Sequence, residues 1–148
     1  MTMFMFDLEL PSLTRERGEA AAHECADRNA WPLHFVAGRV ERRWFGIEKA
    51  YPSVVDLPVD AGGPALAPTA ERDALTLELR PEAAHRLAST IQILATHFPE
   101  GFVFRATFSG SPVRDDHALS APDLADLIRS NGLNEFTRYT VLPNPTAT

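Results

Sequence analysis

Cysteine is nearly missing from this chain. Cys25 stands alone, which excludes an internal disulfide and fits a reducing, cytoplasmic setting. Basic residues are also in short supply, 14 against 20 acidic ones for a net charge of −6. Phosphate contacts need clustered cations, so this balance argues against a nucleic-acid binder. Long apolar runs are absent: nothing approaches the roughly 20 residues that a membrane helix needs. Met1–Leu10 carries Asp7 and Glu9 rather than the basic cluster of a signal peptide. Catalytic signatures are missing as well. None of H-E-x-x-H, G-x-x-x-x-G-K-[ST], G-x-G-x-x-G or G-x-S-x-G occurs, so neither a metal nor any other cofactor is expected.

The remaining composition, 45% hydrophobic and 23% charged, is that of a globular domain. A chain of 148 residues makes one domain that buries roughly two-thirds of its unfolded surface. The clearest local pattern runs from Arg72 to Gly110. Leu75, Leu77 and Leu79 alternate with Thr76, Glu78 and Arg80, the period of a half-buried strand. Pro81 and Glu82 suit a helix start. Ala84, Leu87, Ala88, Ile91, Leu94, Ala95 and Phe98 then form one apolar stripe at helical spacing. Pro99 and Gly101 end that helix, and Phe102, Phe104, Ala106 and Phe108 alternate as a second strand.

Before this unit, Thr2–Leu10 alternates as a first strand, and Leu13–Asn29, rich in Ala, Glu and Arg, reads as a helix with a thin apolar stripe. Trp31-Pro32 stops it. Leu33–Val36 and Arg39–Ile47 read as two short strands around Ala37-Gly38. Residues 52–70 hold four prolines and Gly62-Gly63 and read as a long loop, linkage or disorder before function. After it, Ser109–Pro112 is a turn that pairs Val113–Leu119 in a hairpin with Phe102–Phe108. Ser120 caps a short helix, with Asp123 in the capping-box position, Leu119 and Leu124 as a staple, and Asn131-Gly132 at its end. Phe136–Leu142 is a final strand, and 144–148 is a frayed tail. The expected fold is α+β: a single antiparallel or mixed sheet with helices packed on one face.

Several groups of residues invite a chemical reading. His23 and Cys25 have the types of a nucleophile and its base, but on a helix they diverge by about 200° and read as a surface His beside a half-buried Cys. Asp115, Asp116 and His117 carry donors for a divalent cation without the third converging ligand a site needs. They read as charges guarding a sheet edge. His85 and His97 are more than three helical turns apart and cannot share an ion. An enzyme or ligand carrier would need His85, His97 or Arg105 to converge in a deep pocket. On the wet side of the sheet, Thr76, Glu78 and Arg80 are expected beside Val103, Arg105 and Thr107, with Arg138 or Tyr139 from the last strand. Cross-strand ion pairs are the preferred reading of that face. The alternative is an arginine recognition face. Trp31, Trp44 and Tyr51 are candidates for an interface, although core packing is expected for both tryptophans.

The segments Gly101–Gly110 and Asn134–Val141 resemble small α+β proteins of high-GC bacteria, some of them similar to immunity proteins that neutralise polymorphic toxins. The resemblance implies a cytoplasmic protein-binding module. Its expected partner is a toxin domain, occluded through the acidic residues Asp56, Asp60, Asp115 and Asp116, with Arg105 on the free sheet face. A homodimer is the rival expectation, for which exposed Met3 and Met5 on an edge strand would be the sign.

Overall fold

In the computed structural model, the residues described are 4–58, 66–67, 78–108, 113–134 and 136–144. They form β1 (Phe4–Glu9), α1 (Arg15–Asp27), β2 (His34–Val36), β3 (Arg39–Arg42), β4 (Glu48–Tyr51) and β5 (Val54–Asp56). There follow β6 (Leu66–Ala67), β7 (Glu78–Leu79), α2 (Pro81–His97), β8 (Phe102–Phe108), β9 (Asp115–Leu119), α3 (Ala121–Arg129) and β10 (Thr137–Val141). A mixed four-stranded sheet in the order β1-β8-β10-β9 is the platform. Its antiparallel pairs are β1–β8 and β8–β10, and β9 runs parallel to β10. The fold is α+β, as expected.

Strand parity explains why one flank of this sheet is covered. Phe6, Phe102, Phe104, Ala106, Leu119, Tyr139 and Val141 point one way and join the core, together with Ala21 and Cys25 of α1, Leu87, Ile91 and Leu94 of α2, and Leu124 and Ile128 of α3. All three helices therefore share one flank. Helix α2 is the centre of the layer: Pro81 occupies its first turn, Glu82 meets the positive end of the dipole, and its apolar stripe is buried along its length. Arg17 closes the other end. Its guanidinium donates to the His97 carbonyl at 2.6 and 3.1 Å, pairs with Glu100 at 2.7 Å and lies 4.6 Å over the Phe98 ring. A cation on the last carbonyls of a helix opposes the negative end of its dipole. The same guanidinium holds the Glu100 carboxyl below the usual carboxylate range.

Helix α3 matches the cap expected for it. Ser120 Oγ accepts from the Asp123 amide at 3.2 Å, and Asn131, in the left-handed region at φ 57°, ends the helix. Helix α1 sits close because of one glycine: a Cβ on Gly18 would fall 2.6 Å from the Phe35 ring of β2.

Three expectations are corrected. The β9 strand does not form a hairpin with β8, because β10 lies between them. The parallel β9–β10 pair needs a crossover, and α3 supplies it. Of the strand expected at the start of the Arg72–Gly110 unit, the described part, β7, pairs with β6 and not with the four-stranded sheet, and Leu75 and Leu77 lie outside the described residues. Finally, 52–70 is not a plain loop, since β5 and the bridge from Leu57 to Phe6 occupy its first part, with Val55 and Leu57 in the core. The Ser109–Pro112 turn and the 145–148 part of the tail also fall outside the described residues.

Cys25 is fully buried rather than half-buried, beside an exposed His23. Burial pushes its thiol up to about 11 from an ordinary 9.0, partly opposed by a hydrogen bond with Thr90. A raised pKa in the fold means that unfolding releases a proton above pH 9. The stabilisation is complete below that value and is lost as pH rises from 9 towards 11. Folded protein at pH 8 should therefore resist a thiol-specific disulfide reagent that labels the urea-unfolded chain within minutes. The urea midpoint should fall between pH 9 and 11 more steeply than in Cys25→Ala. Equal slopes, or rapid labelling of the native thiol, would contradict the burial.

Candidate functional site

No described helix covers the second flank of the four-stranded sheet, where Val103 is buried and Arg105 joins an ion-pair ladder. Arg105 is hydrogen-bonded to Asp7 and lies 3.6 Å from Glu9; Arg138 lies 3.6 Å from Glu9 and 3.7 Å from Asp116. Strand β1, not β7, supplies the neighbouring carboxylates. The two arginines face three carboxylates; Arg105 is hydrogen-bonded to one, while Arg138 stays at ion-pair distance with its buried Nε unbonded. Cross-strand pairing is the preferred reading, now with different partners from those expected.

The other residues picked from the sequence stay apart. Asp56 is on β5, 3.5 Å from His34, while Asp115 and Asp116 are on β9 at the far edge. With β5 bridged to β1 at Phe6–Leu57, four strand spacings separate them, roughly 19 Å. Asp60, Met3 and the side chain of Met5 lie outside the described residues. His97 contacts Glu24 at 3.3 Å and His85 is exposed at the other end of α2, so neither meets Arg105. Among the described residues, no three His, Cys, Asp or Glu side chains are grouped to hold a metal ion.

The structure draws attention to a different element. Strands β2 and β5 pair from His34–Asp56 to Val36–Val54, and β3 and β4 pair from Arg39–Tyr51 to Arg42–Glu48. Partner numbers add to the same total in both ladders, so the two are one antiparallel ribbon in continuous register. Between the two ladders, Gly38 donates its amide to Ser53 Oγ at 2.8 Å. A Cβ on Gly38 would lie 2.8 Å from Tyr51 O, so only glycine allows the strands this approach.

Its root is buried. The Trp31 ring is fully buried and meets Phe6 edge-on at 5.5 Å. Trp31 Nε1 donates to the Pro58 carbonyl just past β5 at 3.2 Å, and the Trp31 carbonyl accepts from Thr90 of α2 at 2.7 Å. Beyond this root no residue from 36 to 50 is buried. The two faces differ in a telling way. The side that presents Phe35 and Val55 to the core turns polar past the core edge. Arg39 and Lys49 flank the Tyr51 ring at 4.9 and 5.1 Å, and Glu41 sits opposite Lys49. The outer side carries Val36, Val54, Val40 and Ala50, and none of them is covered; Val40 is 62% exposed.

At the tip, Trp44 is 85% exposed and Phe45 96%. Phe45 also sits in the left-handed region at φ 65°, an uncommon conformation for a bulky residue. Ile47 follows, exposed as well. This overturns the expectation of core packing for Trp44, while Trp31 obeys it. Residues 39–51 carry four cations and two carboxylates, +2 in a chain of −6, which leaves −8 for the rest. The arm is thus a locally basic, aromatic-tipped projection from an acidic body. A two-stranded ribbon is marginal alone in water, and large exposed apolar groups on a projection mark interaction sites.

Root and tip should respond oppositely to truncation. Trp31→Ala should lower stability by about 3–5 kcal/mol in urea unfolding followed by circular dichroism. Trp44→Ala and Phe45→Gly should stay within about 0.5 kcal/mol of wild type. A tip variant that destabilises like Trp31→Ala would show that the arm belongs to the core.

The chain matches no protein-family model, no curated protein and no solved structure.

Proposed function

We propose that this chain is a protein-binding module that grips its partner with the tip of the β2–β5 ribbon. The observation that carries the reading is the pair Trp44 and Phe45, almost wholly solvent-exposed on a projecting arm, with Phe45 in a left-handed conformation uncommon for a bulky residue. Aromatic side chains are the commonest anchors of protein interfaces, since each brings 150–250 Å² of rigid apolar surface. Arg42, Arg43 and Lys49 behind them suit a carboxylate-bearing rim on the partner.

In its specific form the proposal is that of a cytoplasmic immunity protein, whose partner is a toxin domain whose active site it blocks. The C-terminal resemblance and the −6 net charge support that form. Here the tip replaces the dispersed carboxylates as the main contact, because Asp56 and the Asp115–Asp116 pair stand at opposite edges of the platform.

The test is co-expression with the product of each neighbouring gene, a toxin domain being the expected partner, followed by co-purification and titration. Wild type should form a complex and protect the host. Trp44→Ala should weaken binding about 30-fold or more, the scale of an interface anchor, and Asp115→Asn/Asp116→Asn only a few-fold. No complex and no protection would end the immunity reading. A tip variant that binds like wild type, beside an acidic-edge variant that does not, would move the contact to β9.

A further inference from the structure

We infer that the outer face of the ribbon stacks on the same face of a second copy of this chain, forming a two-fold dimer that sets two tips side by side. The inference rests on the ribbon being the binding element and adds the partner that covers its flank.

Three observations lead there. First, the apolar side of the ribbon is the one turned away from its own core, while the side nearer the body becomes polar beyond Phe35 and Val55. An amphipathic ribbon presenting its apolar flank outward needs a cover from outside. Second, that flank is bounded by a polar pair at each end. His34 lies 3.5 Å from Asp56 at the root, and Arg42 lies 3.6 Å from Glu48 near the tip. Third, between these pairs the flank is low and apolar: Val36 opposite Val54, then Gly38 and Pro52, then Val40 opposite Ala50.

A face of this design is complementary to itself in only one of the two ways that two-fold symmetry allows. Stacked faces need an axis in the plane between them, and an isologous contact repeats each pairing twice. With the axis across the ribbon, Arg42 would lie over His34 of the second copy and Glu48 over Asp56, so like charges would meet. With the axis along the ribbon, each position lies over its own cross-strand partner. Arg42 then covers Glu48 of the second copy, Val40 covers Ala50, Val36 covers Val54 and His34 covers Asp56. Arg42 meets a carboxylate, Asp56 meets an imidazole rather than another carboxylate, and the apolar centre is closed between them. Sheets stacked in this way keep their strands within about 30° of one another, at a spacing of about 10 Å. Each copy presents a face roughly 30 Å long and 10 Å wide. Two of them bury on the order of 600 Å², the size of a weak, transient association. The dimer should therefore form only towards the upper end of the micromolar range and dissociate on dilution. Both arms point the same way, so the two aromatic tips become one doubled anchor.

Charge exchange between copies is the decisive experiment. Arg42→Glu makes the distal end wholly acidic, and Glu48→Arg makes it wholly basic; both sites are exposed, so the body should fold in each variant. Wild type should pass from monomer to dimer between about 1 and 500 µM in sedimentation velocity. Each variant alone should remain a monomer over that range. An equimolar mixture should recover the dimer, as one acidic chain with one basic chain. Recovery in trans cannot come from restoring the ion pair within an arm, because neither chain regains it. Wild type monomeric at 500 µM, a single variant that dimerises like wild type, or a mixture that stays monomeric would each overturn the dimer. A monomeric wild type that still binds the toxin domain through Trp44 would leave the binding-module reading standing, and a dimer that binds no partner would do the reverse.

Discussion

The arm depends on one buried ring. Trp31 lies between Phe6 of the sheet and Thr90 of α2, and its indole nitrogen holds the Pro58 carbonyl at the end of the ribbon's return strand. With Val55 and Leu57 also in the core, this contact fixes the register of β2 against β5. Register then carries outward through Gly38 and Pro52 to the tip. A slip of one residue would turn every outer valine towards the body and every polar partner outward. The orientation of an exposed face is thus decided by packing well inside the molecule.

Much of the architecture was legible in the sequence because it is local. The stripe of α2, the alternation in β1 and β8, and the Ser120 cap all follow from spacing within a few residues, and each stands where spacing put it. Pairing was not legible. Whether β9 joins β8 or β10 depends on where α3 packs, and a short Ser-Gly-Ser-Pro turn reads as a hairpin when only neighbours are considered. The partners of Arg105 were not legible for the same reason: β1, almost a hundred positions away, is the strand beside it.

The ribbon was the larger omission, and proline misled the reading. Pro52 and Pro58 look like breaks, yet one sits at an unbonded register position and the other lends its carbonyl to Trp31. A signal was present. Read from both ends towards Trp44–Ile47, Val36 meets Val54, Glu41 meets Lys49 and Arg42 meets Glu48, a complementary series that a hairpin produces. Gly46 near its centre, at φ 75°, is the residue a tight turn requires. By contrast, Asp56, Asp60, Asp115 and Asp116 share only their charge, and charge says nothing about convergence.

The distribution of burial separates two roles within one small domain. Among the described residues of the body, helices cover one sheet flank, and Arg105 and Arg138 pair with carboxylates on the other. The arm differs, since its polar side faces inward and its apolar side outward. Amide hydrogen exchange across residues 36–54, followed by mass spectrometry over a dilution series, tests this division most directly. An outer face that is an interface predicts protection of the arm that falls on dilution in step with the mass of the particle, while α2 stays protected throughout. Arm protection that is the same at every concentration, at which the particle mass nonetheless changes, would contradict it.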